Sequence, residues 1–309
     1  MGALRVTQGI LVQRTLLNIH NQQRDLLDLQ TQLASGLRVN APSDDPIDSR
    51  RAVNTRNTIS KTEQYLTNLN SGEMLLRESS TTMETVHELI TRAHELTLQG
   101  ANGTYAQEQL DAIAQEMDQV LENLLDTSNH QTADRFIYGG TRTKSEPFVA
   151  TRDANGTITA VNYVGNSEYI EIATGDGQRL AINEPGDIVF GQPVSAASNS
   201  LFEMVINIRD DLLAGNQGDL GNIRLDELDQ ARKNVGQALA RVGSRQNRAE
   251  RAVIELDDFV LSNQELLSDS IDADFADTIV NLNSQSNAFQ AALSAGARVI
   301  QPSLLDYVQ

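Results

Sequence analysis

The chain has 309 residues, of which 39% are hydrophobic and only 4% aromatic, and 24 basic against 42 acidic residues leave a net charge of −18. Such a surface repels nucleic-acid phosphates and anionic lipid, so neither is an expected partner. There is no cysteine, which excludes disulfides, thiolate metal sites and cysteine nucleophiles.

No stretch approaches the roughly 18 apolar residues of a membrane span, so no membrane insertion is expected. Met1 to Gln8 lacks an apolar run of signal-peptide length, so any export is expected to proceed without a cleaved signal.

The first element is a seam. Val12, Leu16, Ile19, Gln23, Leu26, Gln30, Leu33 and Leu37 step along at alternating spacings of four and three. That is the pattern of a coiled-coil helix facing a partner. Gly36 and Pro42 interrupt it. Asp45 can then cap a new helix with Pro46 in its first turn, where the missing N–H costs nothing. A helix is expected from there toward Asn70, a second from about Glu73 to Leu98, and a third from about Tyr105 to Asn129, in keeping with a proline-free run from Ile47 to Glu146.

The character changes near Phe136. Eight of the 20 glycines fall between Gly139 and Gly191. Thr157–Val164, Tyr169–Ala173 and Arg179–Ile182 read as strands, and Asp153-Ala154-Asn155-Gly156 reads as a hairpin turn. Helix resumes near Asn199. After a glycine-rich turn from Gly215 to Gly221, a long seam runs from Val235 to Leu267. It slips at Leu267, Ile271 and Phe275, spaced four and four, and such a stutter marks a boundary. Beyond it Phe275, Ile279, Leu282, Ser286, Phe289, Leu293, Gly296 and Ile300 repeat the opening pattern.

The layout is palindromic: arm, break, helices, strands, helices, break, arm. It divides as 1–40 (N-terminal arm), 41–138 (helical), 139–195 (β-rich insert), 196–269 (helical) and 270–309 (C-terminal arm, paired with the first). The expected fold is mainly α, an elongated rod of long helices with a small inserted β-domain. Val12, Leu16, Ile19, Leu26, Leu33, Leu37, Phe275, Ile279, Leu282, Phe289, Leu293 and Ile300 form the expected assembly seam.

Chemistry is sparse. His87 and His94 are seven apart, about 10 Å along a helix, whereas helical metal pairs use a spacing of four, so they read as ordinary histidines. Asp153-Ala154-Asn155-Gly156-Thr157 starts like a calcium loop, but Val164 stands where the closing glutamate belongs. Asn102-Gly103-Thr104 and Asn155-Gly156-Thr157 fit the short N-glycosylation pattern, which arises by chance. Arg241, Arg245 and Arg248 share a helix face and read as a solvated stripe or as ion-pairing partners. No phosphate loop, dinucleotide fingerprint or nucleophile elbow occurs, so no enzyme activity, metal or cofactor is expected.

Leu33-Ala34-Ser35-Gly36-Leu37-Arg38-Val39-Asn40 resembles the N-terminal signature of bacterial flagellins and their relatives. The continuation Ala41-Pro42-Ser43-Asp44-Asp45-Pro46 is similar to the flagellin-like hook-associated proteins of the FlgL type. So are Phe136-Ile137-Tyr138-Gly139-Gly140-Thr141-Arg142-Thr143 with Pro147-Phe148, and Asn287–Ala292 through Gln301–Tyr307. The resemblance implies a structural subunit of the extracellular flagellum, at the junction of hook and filament. It implies a ring of identical subunits between the hook-side junction protein (FlgK-type) and flagellin. It also implies an export chaperone, the type III export apparatus, and arms that stay disordered until they assemble. A minor flagellin of the filament, or a coiled-coil protein outside the flagellum, are the alternatives.

Overall fold

The two helices expected between Pro46 and Leu98 form one longer helix. In the computed structural model residues 2–191 and 200–305 are described, with side chains over 9–191 and 200–298. In chain order the elements are α1 (Gly2–Ser35), α2 (Pro46–Gly100), α3 (Gln107–Ser128), β1 (Gln131–Thr132), β2 (Arg135–Phe136), β3 (Phe148–Arg152), β4 (Ile158–Tyr163), β5 (Glu171–Gly175) and β6 (Gln178–Ala181). There follow α4 (Gly186–Phe190), α5 (Leu201–Ala214), α6 (Gln217–Asp219), a π-helical turn (Leu220–Arg224), α7 (Leu225–Ile271) and α8 (Phe275–Leu305). The fold is mainly α with a small inserted strand region.

The break expected between Asn70 and Glu73 does not occur, because α2 runs straight through it. Gly72 serves packing instead. A Cβ there would stand 2.7 Å from Ile182 Cγ2 and 2.8 Å from Ile172 Cδ1, so only a bare Cα lets the strand side chains lie against the helix.

The described strands form three separate antiparallel hairpins, β1–β2, β3–β4 and β5–β6. They begin at Gln131, ahead of position 139. The β1–β2 turn places Ala133 and Asp134 at φ 49 and 66, both positive, as a tight hairpin requires. Ala-Asp is not the glycine or asparagine pair that signals such a turn in a sequence. In the β3–β4 turn the Asp153 Oδ1 accepts the Asn155 and Thr157 amides, each at 2.9 Å, so the aspartate closes a hairpin turn.

The chain divides into two compact units, residues 1–61 with 259–309, and residues 62–258. In the second, Leu76, Met83, Val86, Ile90 and Leu96 of α2 pack with Met117, Leu121 and Leu124 of α3, Val205 and Ile208 of α5, and Val235 and Val242 of α7. Under the hairpins Tyr138, Phe148, Phe190 and Phe202 form a ring cluster at centroid separations of 5.0–5.7 Å. Buried Arg209 donates to Asp118 and to the Ile158 carbonyl, joining α5 to α3 and β4.

The arginine stripe of α7 has a specific partner. Glu184, fully buried after β6, accepts from Arg241 Nε at 2.8 Å and Arg245 Nη1 at 2.8 Å. Arg245 also donates to the Asn183 carbonyl at 2.7 Å and stacks over Tyr169. These arginines therefore pair with the strand segment, and Arg248 joins neither contact.

Candidate assembly site

In the first unit α1 and α8 lie side by side and antiparallel. The ring of Phe275 sits beside Gly36, Gln285 Nε2 donates to Asp25 Oδ2 at 3.4 Å, and a Cβ on Gly296 would stand 3.1 Å from Ile19 and 3.4 Å from Thr15. Burial marks the faces that meet. On α1 these are Val12, Thr15, Ile19, Gln22, Leu26, Leu29 and Leu33, and on α8 Thr278, Leu282, Gln285, Phe289, Ala292 and Gly296. The spacing alternates three and four, a heptad seam.

The sequence-derived seam divides accordingly. Val12, Ile19, Leu26, Leu33, Leu282 and Phe289 lie between the arms. Leu16, Phe275, Ile279 and Leu293 do not, being 44, 55, 45 and 44% exposed. Leu37 is half-buried at the break, and Ile300 lies outside the described side chains. The intervening positions differ by one residue because two heptad phases share every second position, and leucines occupy both phases here.

Leu16 and Leu27 follow α1 seam positions by one residue, as Ile279 and Leu293 follow α8 ones. One residue is a rotation of about 100° in the same sense on each helix. In an antiparallel pair equal rotations point to the same side. These side chains therefore share one exposed apolar flank, reaching along about 24 Å at 1.5 Å per residue. The seam itself is thin. It includes two threonines and two glutamines, and the buried Gln22 Oε1 has no hydrogen-bond partner among the described residues. Leaving such an oxygen unpaired costs about 1–3 kcal/mol.

The two breaks interlock. Gly36, at φ +74, takes the left-handed conformation that ends α1. Its carbonyl accepts the Ala273 amide at 2.9 Å, and the Ile271 carbonyl accepts Arg38 N at 2.7 Å and Val39 N at 3.3 Å. Val39, Ala52 and Ile271 form a small core with Leu37 and Leu267. Arg38 Nη2 reaches the Ser270 carbonyl at 2.7 Å and Asp48 at 2.6 Å. The signature around Gly36 and Arg38 is thus a clasp joining the break after α1 to the break before α8.

Caps fix the helices that leave the clasp. Asp45 Oδ1 accepts Ile47 N and Asp48 N at 3.0 Å each, and Asp44 Oδ2 accepts Asn40 N and Ala41 N. Asp274 does the same for α8, accepting Ala276 N and Asp277 N. The amides pointing at Asp44 and Asp45 hold both carboxyls below the ordinary carboxylate range, with Arg38 adding to the effect on Asp45. A depressed pKa contributes stability that is present above the unfolded value and lost as pH falls through the folded one. Hydrogen-exchange protection of Ile47 and Asp48 is therefore expected to be constant near neutrality. It should fall only below the usual carboxylate range, and Asp45→Ala should remove that acid step.

Among the described residues no group of three or more His, Cys, Asp or Glu side chains is placed to hold a metal, and no helix is long and apolar enough to cross a membrane. His94 lies 3.9 Å from Asp229, and His130 contacts Glu78 at 2.7 Å.

Comparison with known proteins matches this arrangement. Residues 6–134 match the bacterial flagellin N-terminal helical region, and residues 225–308 the bacterial flagellin C-terminal helical region. Flagellar hook-associated protein 3 of Escherichia coli is 23% identical over 94% of this chain and 96% of its own length. Among solved structures, hook-associated protein-3 of Legionella pneumophila superposes with a TM-score of 0.62 at 15% identity, covering 70% of this chain and 97% of its own. FlgL of Bacillus cereus gives 0.56 at 21% identity, over 70% and 99%.

Proposed function

The chain belongs to the flagellin family, and on that premise we propose that it is a structural subunit of the bacterial flagellum, seated at the junction of hook and filament. The Escherichia coli hook-associated relative, alike over 94% of this chain, supports the junction rather than the filament. The role is mechanical and needs no catalysis.

The observation that carries the reading is the apolar flank of the arm pair, where Leu16, Leu27, Ile279 and Leu293 stand half in water. Exposed apolar side chains in a row mark an interaction face. Neighbouring copies in a ring are the proposed occupants, with the hook-side junction protein on one side and flagellin on the other. The thin seam fits arms that order fully only when neighbours cover them, so folding and assembly would be coupled. Residues 1–40 and 270–309 act as the assembly arms, 41–138 and 196–269 as the helical body, and 139–195 as the insert. Passage through the type III export apparatus with a chaperone, without a cleaved signal, completes the proposal and makes the location extracellular.

Deleting the gene tests this. Cells should keep hooks, lose filaments and release flagellin into the medium. Normal filaments in the deletion strain would overturn the junction reading and leave a minor flagellin as the better one.

A further inference from the structure

The sequence has two Asn-Gly pairs, Asn102-Gly103 and Asn155-Gly156, and the fold treats them differently. Both asparagines are exposed. At the second pair the Gly156 amide donates to the Asp153 carbonyl at 3.1 Å inside the β3–β4 turn, and no donor among the described residues reaches the Asn155 side-chain oxygen. At the first pair, in the turn between α2 and α3, no acceptor among the described residues takes the Gly103 amide. The Asn102 Oδ1 meanwhile accepts two bonds from Thr104, from its amide at 3.3 Å and its hydroxyl at 3.0 Å.

That arrangement favours a particular reaction. A free glycine amide next to an asparagine can attack the side-chain carbonyl carbon, and two donors on the carbonyl oxygen stabilise the negative charge that develops there. We propose that Asn102, and not Asn155, is a site of spontaneous chemical modification in the folded protein. The Gly103 nitrogen bonds to Asn102 Cγ and gives up its proton, the Cγ–Nδ2 bond breaks, and ammonia leaves with that proton. The product is a cyclic imide. Water then opens either of its two carbonyls, giving aspartate or isoaspartate at position 102. No electron transfer is involved and water is the only co-reactant.

The location gives the change a consequence. Isoaspartate would lengthen the main chain in a tight turn in which the Asn102 carbonyl accepts the Tyr105 amide at 3.1 Å. The new carboxylate would stand just past the C-terminal end of α2, where the helix dipole disfavours negative charge. The modification would therefore loosen the α2–α3 connection.

The test is peptide mapping by mass spectrometry, with enzymatic isoaspartate labelling, of the full chain held folded in mildly alkaline buffer. The Asn102 peptide should convert roughly two- to tenfold faster than the Asn155 peptide, the factor expected when the slower site must first break a hydrogen bond. In denatured chain the two rates should converge. Thr104→Ala should slow conversion at Asn102, and so should Gly103→Ala. The latter adds a Cβ whose nearest neighbour is the Gln217 amide oxygen at 3.8 Å, so it is expected to fold. Equal rates in the folded chain, the same bias in denatured chain, or no slowing in Thr104→Ala would each overturn the proposal.

Discussion

Aspartate at both Ile279 and Leu293 is expected to abolish incorporation into the flagellum while leaving the free monomer folded. Each side chain is close to half exposed in the monomer, so each replacement should change monomer stability by no more than about 0.5 kcal/mol. In a contact with a neighbouring copy each would bury an unpaired carboxylate, which costs several kcal/mol or forces the contact open. Since about 1.4 kcal/mol is tenfold in affinity, the pair should lower incorporation at least about a hundredfold. The check is the yield of subunit in sheared flagella from a strain carrying only the variant, beside circular dichroism of the purified monomer. Leu26→Asp makes an instructive partner. Leu26 lies in the seam between α1 and α8, so that variant should also lose assembly, while the unit of residues 62–258 stays folded.

Phe148→Ala is expected to remove about 3–5 kcal/mol from the unit formed by residues 62–258, the usual cost of emptying a buried aromatic site. Phe148 is 1% exposed and lies within 5.2 Å, centroid to centroid, of the rings of Tyr163, Phe190 and Phe202. Its own backbone is held at both ends by Asn129, which accepts the Phe148 amide at 3.0 Å and donates to its carbonyl at 2.7 Å. Gly186 presses bare against the ring, since a Cβ there would stand 2.7 Å from it. A domain's net stability is about 5–15 kcal/mol, so the loss is a large share of it. Urea unfolding followed by circular dichroism checks the value, and Phe148→Leu should cost less.

The same cluster predicts an alkaline limit. Burial, aided by the charge of Asp187, pushes the Tyr163 phenol up from 10.0 to about 12. A raised pKa contributes stability that is intact below the unfolded value and lost as pH climbs through the folded one. Unfolding midpoints should therefore decline between pH 10 and about 12.

What could be read from the residues follows from how local each signal is. The Asp45 cap, the Pro46 start, the stop at Gly36 and the stutter before Phe275 are each set by a few neighbouring residues, and the helices begin and end there. The break expected between Asn70 and Glu73 is absent, and Gly72 within it packs against Ile172 and Ile182, about a hundred residues away, which nothing nearby in the chain signals. The seam was half legible for a related reason. Val12, Ile19, Leu26 and Leu33 belong to both heptad phases, while the choice between Thr15 and Leu16 depends on where Gly296 and Gln285 sit on the other arm. The less apolar phase, with its threonines and glutamines, faces the chain's own arm, and the more apolar one faces outward.

The arginines of α7 show the same limit. Their shared face was visible, but Glu184 as the buried partner of Arg241 and Arg245 depends on the path of the strands. The clasp is the opposite case. Gly36, Arg38, Asp44 and Asp45 stood out as a signature, and only the fold shows that their backbone and side-chain bonds tie the chain to Ser270, Ile271 and Ala273.

Immunogold labelling of isolated flagella with antibody against this chain tests the central claim most directly. The account predicts label confined to a narrow band at the distal end of the hook, where the filament begins. Label spread along the filament, or absent from the hook's end, would contradict it.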